Sequence, residues 1–162
     1  ISTAANTVLR LSLVYGLGKP DAPRGFMGWL QDAFMTGHPV TLFTDEIRTP
    51  VYLDDVLSIL DEVIEKEITG IFHVAGTEAI SRYDFGLRMA EAFGYSPACL
   101  IPASVNDYHE GPPRPKNLSL NIGKAQKRFL TVLTDTHSGL RRMRETMDQG
   151  DIPAAVTEEG PE

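Results

Sequence analysis

Short apolar runs typical of buried strands alternate along this chain with segments whose apolar residues recur at helical spacing. The run TVLRLSLVY, residues 7–15, is rich in leucine and β-branched residues and is followed by glycines and prolines, which end strands. Further strands are predicted at 40–43 and 71–75. The alternation predicts an α/β domain, whereas periodicity alone does not order the strands within a sheet.

Start and stop signals predict five helices: 25–36, from Asp54 to before Gly70, from Ser81 to Gly94, 123–130, and from Asp135 to about Met147. The first would bury one face and end at Gly37 and Pro39; that face comprises Phe26, Trp29, Leu30, Ala33 and Phe34. Asp54 would cap the second, whose apolar stripe comprises Val56, Leu57, Leu60, Val63 and Ile64. Ser81 and Asp84 resemble a capping box with Asp in place of Glu.

Acidic residues give the chain of 162 residues a formal net charge of −7. Five of them crowd the last fifteen positions, so the remainder is nearly balanced and nucleic acid is not an expected partner. No apolar run approaches the roughly 18 residues of a membrane-spanning helix, so no membrane partner is expected either. Cys99 is the only cysteine, which excludes an internal disulfide and favours a reducing, cytoplasmic compartment.

The stretch YGLGK, residues 15–19, fits the Y-x-x-x-K spelling of a reductase active site. Such a tyrosine and lysine must share a helical face, because residues four apart are neighbours only on a helix. Gly16, Gly18 and Pro20 disfavour a helix here, so the match is interpreted as a coincidence. The G-x-G of Gly16 and Gly18 is likewise not a dinucleotide loop, because Asp21 stands where a third glycine would be needed.

Other candidate groups have structural interpretations. The four histidines show no metal-ligand spacing, so no metal site is predicted. His73, between Phe72 and Val74, is interpreted as a core histidine. The pair Asp54 and Asp55 is explained by capping and by the helix dipole better than by acid–base chemistry.

The segment VNDYHEGPPRPKN, residues 105–117, is too rich in proline and polar residues for regular structure, and a loop of this length is often functional. Arg114, between prolines and close to Lys116 and Asn117, either has a structural role or grips an anion such as phosphate. Arg48 precedes Pro50 and either pairs with Asp45 or faces a ligand phosphate. The sequence leaves both choices open.

Six motifs in order resemble one family: RLSLVYG at 10–16, the helix beginning Gly25-Phe26, FTDEIRTPVYLDD at 43–55, GIFHVAG at 70–76, SRYDF at 81–85 and RPKNLSL at 114–120. Together they are similar to the carboxy-terminal half of extended short-chain dehydrogenases, in particular the dTDP-4-dehydrorhamnose reductase group. The implied fold is a Rossmann-type sheet edge with a small α/β substrate-binding lobe. Residues 1–147 would form this half, and 148–162 an acidic, disordered tail.

The resemblance implies that the amino-terminal half of the parent protein carries the glycine-rich NAD(P)H loop and the catalytic tyrosine and lysine. The chain, which opens on Ile1, is therefore interpreted as a fragment with no catalytic residue and no cofactor of its own. The parent would reduce a keto group on a nucleotide-linked sugar. The missing half would pack on an apolar seam, and the chain could also form a homodimer.

Site residues follow from the same resemblance. It implies Leu13, Val14 and Tyr15 beside the nicotinamide, and a second set around the sugar nucleotide: Leu13, Gly16, Phe26, Arg48, Arg114 and Asn117. Leu13 departs from the family, which carries Trp or Asn there, and leucine offers a sugar no hydrogen bond. Glu46 replaces the more usual Gln.

Alternative functions remain open at this point. An epimerase or a dehydratase would have the same fold. The regulatory β subunit of methionine adenosyltransferase shares the regions at His73 to Glu78 and Arg114 to Asn117, so a partner-binding role is a third interpretation. A truncated gene product that self-associates through the seam is a fourth.

Overall fold

The computed structural model describes residues 6–17, 25–109 and 111–149. The strands are β1 (Thr7–Leu11), β2 (Val14–Tyr15), β3 (Val40–Phe43), β4 (Ile47–Arg48), β5 (Val51–Tyr52), β6 (Gly70–Val74), β7 (Ile80–Ser81) and β8 (Leu100–Ala103). The helices are α1 (Gly25–Thr36), α2 (Leu53–Glu65), α3 (Arg82–Phe93), α4 (Gly123–Arg128) and α5 (Thr136–Asp148). The predicted α/β class is confirmed.

Within the described residues, each strand pairs with one distant in sequence. β1 pairs with β6, β2 with β5 and β3 with β8, all in parallel, whereas β4 and β7 are antiparallel. The single strand predicted over 7–15 is therefore wrong in extent: it breaks at Ser12 and Leu13, because β1 and β2 have different partners. The Leu13 carbonyl accepts a hydrogen bond from the Val51 amide at 2.8 Å, which redirects the chain from β6 to β5.

Two apolar clusters fill the interior. The first, here the lobe core, lies among α1, α3, α5, β3 and β8 and includes Leu30, Leu42, Phe85, Met89 and Leu140. The second, the sheet core, lies among α2, α4 and β6 and includes Ile59, Phe72, Val74, Ala125 and Phe129. β5 joins the two, because successive strand residues point to opposite faces: Val51 enters the sheet core and Tyr52 the lobe core.

Local signals placed several boundaries correctly. α1 has the predicted bounds, and Gly37 ends it with a φ of 72°, which favours glycine. The Ser81 hydroxyl caps α3 by accepting a hydrogen bond from the Asp84 amide at 2.9 Å. The Asp84 carboxylate, however, accepts from the Ser81 hydroxyl rather than from the backbone, so only the serine half of the predicted capping box forms. Asp135 caps α5 as expected.

Three smaller predictions are wrong. The segment 105–117 is not wholly irregular, since Val105–Asp107 forms a 3₁₀ turn and Asn117 bridges to Ile47. His73 is half-buried and alternates with the fully buried Phe72 and Val74, so it is not a core residue. α4 ends at Arg128, because Phe129 already has extended geometry.

Of the stretch YGLGK, Tyr15 is in a strand, and Gly18 and Lys19 lie outside the described residues. Pro20, Asp21 and the predicted tail from 150 onward also lie outside them.

α2 buries a different face from the predicted one. Tyr52, not Asp54, precedes the first turn and makes no side-chain cap, so the capping role assigned to Asp54 is wrong. The buried residues are Asp55, Val56, Ile59 and Glu62, whereas Leu57, Leu60 and Ile64 are exposed. Ile64 is 73% exposed. The polar members of the buried face are tolerated because each is hydrogen-bonded.

Two carboxylates of α2 bind the chain segment that precedes α5. Glu62 accepts hydrogen bonds from the amides of Leu130 and Thr131 at 3.0 and 2.6 Å. Burial acts to raise the pKa of Glu62, but bonds from Lys66, Thr131 and Leu130 prevail and lower it to about 2. Asp55 accepts from the Thr134 amide at 2.9 Å and from Arg142 at 2.6 Å. These contacts fix α5 against β5 and α2.

Replacing Asp55 by Ala should destabilise the fold by about 3 kcal/mol, because it leaves the Thr134 amide buried without a partner and Arg142 without its counter-ion. Asp61→Ala, on the exposed face of α2, is the matched control and should change the free energy of unfolding by less than about 0.5 kcal/mol. Urea denaturation measures both. Equal effects for the two variants would contradict the anchoring role of Asp55.

Candidate functional site

A pocket of about 790 Å³ lies where α1, β3, the start of α3 and the segment 103–114 meet. This volume suits a small organic ligand, for which sites of about 300–1,000 Å³ are usual. Its lining comprises Phe26, Trp29, Thr41, Leu42, Phe43, Glu46, Arg82, Ala103, Ser104, Asp107, Tyr108, His109 and Arg114. The predicted loop therefore supplies much of one wall.

Glu46 lies in the pocket wall and is surrounded by three arginines, which with it form the arginine cluster. Its carboxylate is 2.7 Å from Arg48 Nη2, 3.7 Å from Arg82 Nε and 3.9 Å from Arg114 Nη1. The residue is only 5% exposed. One carboxylate thus faces three guanidinium groups, which leaves an excess of positive charge in this wall of the pocket.

Backbone pairing brings the members of the cluster together. β4 pairs with β7, and the Arg82 amide donates to the Glu46 carbonyl at 3.2 Å, so α3 begins beside Glu46. On the other side the Ile47 amide donates to the Lys116 carbonyl, and the Leu118 amide to the Ile47 carbonyl at 3.1 Å. The segment after Arg114 therefore runs alongside β4. The proximity of the three arginines follows from main-chain geometry rather than from side-chain attraction alone.

Aromatic rings lie against two of the guanidinium groups. Arg82 Cζ is 4.3 Å from the centroid of the Phe26 ring, and Arg114 Cζ is 4.6 Å from that of Tyr108 and 5.6 Å from that of Phe43. Cation–π contacts at these distances hold the planar groups in orientation. The pocket thus combines aromatic walls with oriented hydrogen-bond donors.

Arg82 is the more enclosed of the two arginines that line the pocket. Its side chain is 21% exposed, and its Nη1 atom is buried without a hydrogen-bond partner. Burial lowers the pKa of Arg82, with Arg48 and Arg114 acting in the same direction and Glu46 opposing them. A charged group with an unused buried donor favours an anionic or hydrogen-bond-accepting ligand.

The carboxylate of Asp45 anchors the segment 104–116, which forms one wall of the pocket. It accepts hydrogen bonds from the Val105 amide at 2.7 Å and the Ser104 hydroxyl at 2.8 Å, and pairs with Lys116 at 3.0 Å. The Val105 bond, followed by those from Lys116 and Ser104, lowers the pKa of Asp45 to about 2. Arg48 pairs with Glu46 and not with Asp45, so the structure does not support the first of the two alternatives that the sequence left open for Arg48.

Two of the predicted site residues, Phe26 and Arg114, line this pocket. Arg48 lies behind it and reaches it only through Glu46. Asn117 serves the backbone, since its side-chain oxygen accepts from the Ser119 amide at 2.9 Å.

The residues implied beside a nicotinamide form a separate group away from the pocket lining. Tyr15 is 2% exposed and its ring packs against Tyr52 and Phe85, so its side chain is not accessible to a ligand. Burial raises the pKa of Tyr15, with Asp55 and Asp135 adding to the effect. Leu13 is half-buried and Val14 exposed. A Cβ at Gly16 would collide with Leu53, so this position requires glycine.

Sequence reasoning missed Arg82, Glu46, Trp29 and Tyr108 as pocket residues. Arg82 lies within the motif SRYDF, which carries no individual role for it, and the predicted buried face of α1 includes Trp29, which is 48% exposed. Glu46 was noted as an unusual residue. That departure was the available signal, because an acid beside a nearby Arg48 indicates a paired charge.

Among residues 6–17, 25–109 and 111–149, no group of three His, Cys, Asp or Glu side chains is arranged to hold a metal ion. In the same part of the chain no helix has the length and apolar content needed to cross a bilayer.

Replacing Asp45 by Asn should destabilise the protein at neutral pH by loosening the segment 104–116. Because the pKa of folded Asp45 lies below its ordinary 3.8, the stabilisation is present above about pH 4 and lost as the pH falls toward 2. The difference in denaturation midpoint between Asp45→Asn and the unaltered chain should therefore narrow over that interval. A constant difference between pH 7 and pH 2 would show that the ionised carboxylate does not fasten the loop.

Comparisons with known proteins match this architecture. The chain is 34% identical over 121 residues to a Haloferax volcanii protein named "Probable low-salt glycan biosynthesis reductase Agl14", covering 74% of this chain and 40% of that protein. It is 32% identical over 100 residues to methionine adenosyltransferase 2 subunit beta of Xenopus tropicalis, covering 58% of this chain and 29% of that one. The chain thus spans less than half the length of these relatives.

A crystal structure of dTDP-4-dehydrorhamnose reductase from Bacillus anthracis in complex with NADP superposes with a TM-score of 0.75 at 18% identity, over 86% of this chain and 48% of that chain. At this identity the match shows the fold. The sequence profile of the RmlD substrate binding domain matches residues 2–149, nearly all of this chain. The protein therefore belongs to the RmlD substrate binding domain family and is related to the short-chain dehydrogenase-like sugar-nucleotide reductases.

Proposed function

We propose that residues 1–147 are the substrate-binding half of an NAD(P)-dependent reductase that acts on a 4-keto nucleotide sugar, as dTDP-4-dehydrorhamnose reductase does. The arginine cluster carries this proposal. A nucleotide-linked sugar brings a planar base, which stacks on aromatic rings, and a diphosphate, which guanidinium groups bind. Both kinds of surface occur together in the pocket beside Phe26, Tyr108, Arg82 and Arg114.

In this proposal the pocket holds the nucleotide, and the sugar extends toward the Rossmann half of the parent. NAD(P)H supplies the hydride when bound there. Within this chain only the backbone and apolar side chains at Leu13 and Val14 would contact the nicotinamide, since the strand end at Tyr15 and Gly16 is packed against Phe85 and Leu53. In this proposal the described residues contact the nicotinamide of the cofactor and not its phosphates. Their contribution to rate would be positioning, which can lower a barrier by several kcal/mol.

An exposed apolar surface supports the proposed division into halves. Val8 and Ile71 are paired across β1 and β6, and each is about two-fifths exposed. Leu57, Leu60 and Ile64 on α2 are exposed as well. Exposed apolar side chains favour association, and we propose that a Rossmann half of the same polypeptide covers those of β1 and β6. Such a cytoplasmic two-part enzyme would leave the buried, unpaired Cys99 reduced.

The test uses the proposed parent protein, in which this chain follows a Rossmann half. With a 4-keto nucleotide sugar it should oxidise NADH or NADPH, followed as loss of reduced-nicotinamide absorbance, because the upstream part would supply the Y-x-x-x-K residues. Product analysis separates a reductase from an epimerase or a dehydratase of the same fold. No turnover with any member of a panel of 4-keto nucleotide sugars would refute the reductase proposal.

A second candidate is a non-catalytic regulatory subunit, favoured by the 32% identity to methionine adenosyltransferase 2 subunit beta. This role requires binding to a catalytic subunit and no hydride transfer. Co-sedimentation of the parent with a methionine adenosyltransferase catalytic subunit, together with absent nicotinamide oxidation, would support it. Turnover without such association would exclude it.

A further inference from the structure

The donors of Arg48 are already used within the protein. Its Nη2 contacts Glu46 at 2.7 Å, its Nη1 donates to the Ile47 carbonyl at 2.7 Å, and the side chain is only 12% exposed. A ligand anion would have to displace both partners to reach it. Arg48 is therefore the structural counter-ion of Glu46.

Arg82 and Arg114 are not committed in this way. Their nitrogens stand 3.7 and 3.9 Å from the Glu46 carboxylate, which is beyond hydrogen-bond distance. Nη1 of Arg82 is buried without a partner, and Arg114 is 44% exposed. Glu46 attracts both groups toward one point without satisfying their donors. Asp107, the other acid of the lining, accepts a bond from the Ser104 amide at 3.3 Å and so is partly occupied by its own turn.

We propose that Arg82, acting with Arg114, binds the diphosphate of the nucleotide-linked ligand, and that Glu46 is a positioning residue that keeps Arg48 out of this contact. The assignment rests on the proposed function, because it takes the ligand to be a nucleoside diphosphate derivative. The sequence suggested Arg48 as a phosphate-binding residue, whereas this proposal gives that role to Arg82, which the sequence did not suggest.

The two guanidinium groups lie close enough together to bind one diphosphate, because both face the carboxylate of Glu46. Arg82 approaches Glu46 Oε2 and Arg114 approaches Oε1, so the two guanidinium groups come to the carboxylate from its two oxygens. Each lies over an aromatic ring, Phe26 or Tyr108, and this contact reduces the entropy lost when the guanidinium binds a ligand. Two guanidinium groups held by different elements can each bind one phosphate.

Trp29 provides a direct readout, because it is the only tryptophan of the chain and lines the pocket. Its fluorescence would be titrated with dTDP, with inorganic pyrophosphate and with thymidine as the uncharged probe. The variants are Arg82→Gln, Arg82→Lys and the matched control Arg88→Gln. Arg88 lies on the same helix but pairs with Glu78 at 2.6 Å and does not line the pocket.

Arg82→Gln should weaken dTDP binding roughly tenfold to a hundredfold, the usual effect of losing a charged hydrogen bond, and should weaken pyrophosphate in parallel. Thymidine affinity should stay within about twofold, which a collapsed pocket would not allow. Arg82→Lys should recover part of the loss, because it keeps the charge but not the fork. Arg88→Gln should leave dTDP affinity unchanged.

The outcomes separate the two proposals. If the unaltered chain is folded and binds no dTDP, the proposed nucleotide-sugar pocket is wrong, and the role of Arg82 falls with it. If dTDP binds and Arg82→Gln changes its affinity by less than twofold, the Arg82 assignment alone is overturned. Should Arg82→Gln not fold, Arg82→Lys decides the question, since an affinity equal to that of the unaltered chain would also overturn the assignment. If Arg82→Gln loses pyrophosphate binding but keeps dTDP binding, the diphosphate of dTDP is bound elsewhere, and the Arg82 assignment is again overturned.

Discussion

The buried carboxylate of Glu46 is the interaction on which the pocket depends. Glu46 lies at the junction of β4, the start of α3 and the segment 114–118, and its side chain faces an arginine from each. A lone buried carboxylate is costly, and three nearby guanidinium groups would repel one another without it. The ion pairs therefore reduce the free-energy cost of placing each of these charges in the protein. Because only Arg48 is within hydrogen-bond distance, positive charge remains available at the pocket surface.

A second consequence of buried acids is the orientation of α2. Asp55 and Glu62 turn inward to hold the segment 130–134 and Arg142, and this rotation leaves Leu57, Leu60 and Ile64 outside. Apolar burial alone would have favoured the opposite face. The hydrogen bonds offset that preference, since each buried oxygen has amide or guanidinium partners.

Much of the fold could be predicted because its signals are local. The ends of α1 and the caps of α3 and α5 depend on Gly37, Ser81 and Asp135, each acting on residues within one turn. The break between β1 and β2 could not, because it depends on which distant strand each segment pairs with. For the candidate site, Phe26 and Arg114 were anticipated by family resemblance, whereas Arg82 became a pocket residue only through the pairing of β4 with β7.

The sequence by itself determined the α/β class, the approximate helices and the family, since composition, periodicity and ordered motifs are carried by residues close together in the chain. Only the tertiary structure decided which acid pairs with which base. Asp55 meets Arg142 across 87 positions, and Arg48 pairs with Glu46 rather than with the adjacent Asp45. Such choices depend on burial and on competing partners such as Lys116 and the Val105 amide. These exist only after the chain has folded.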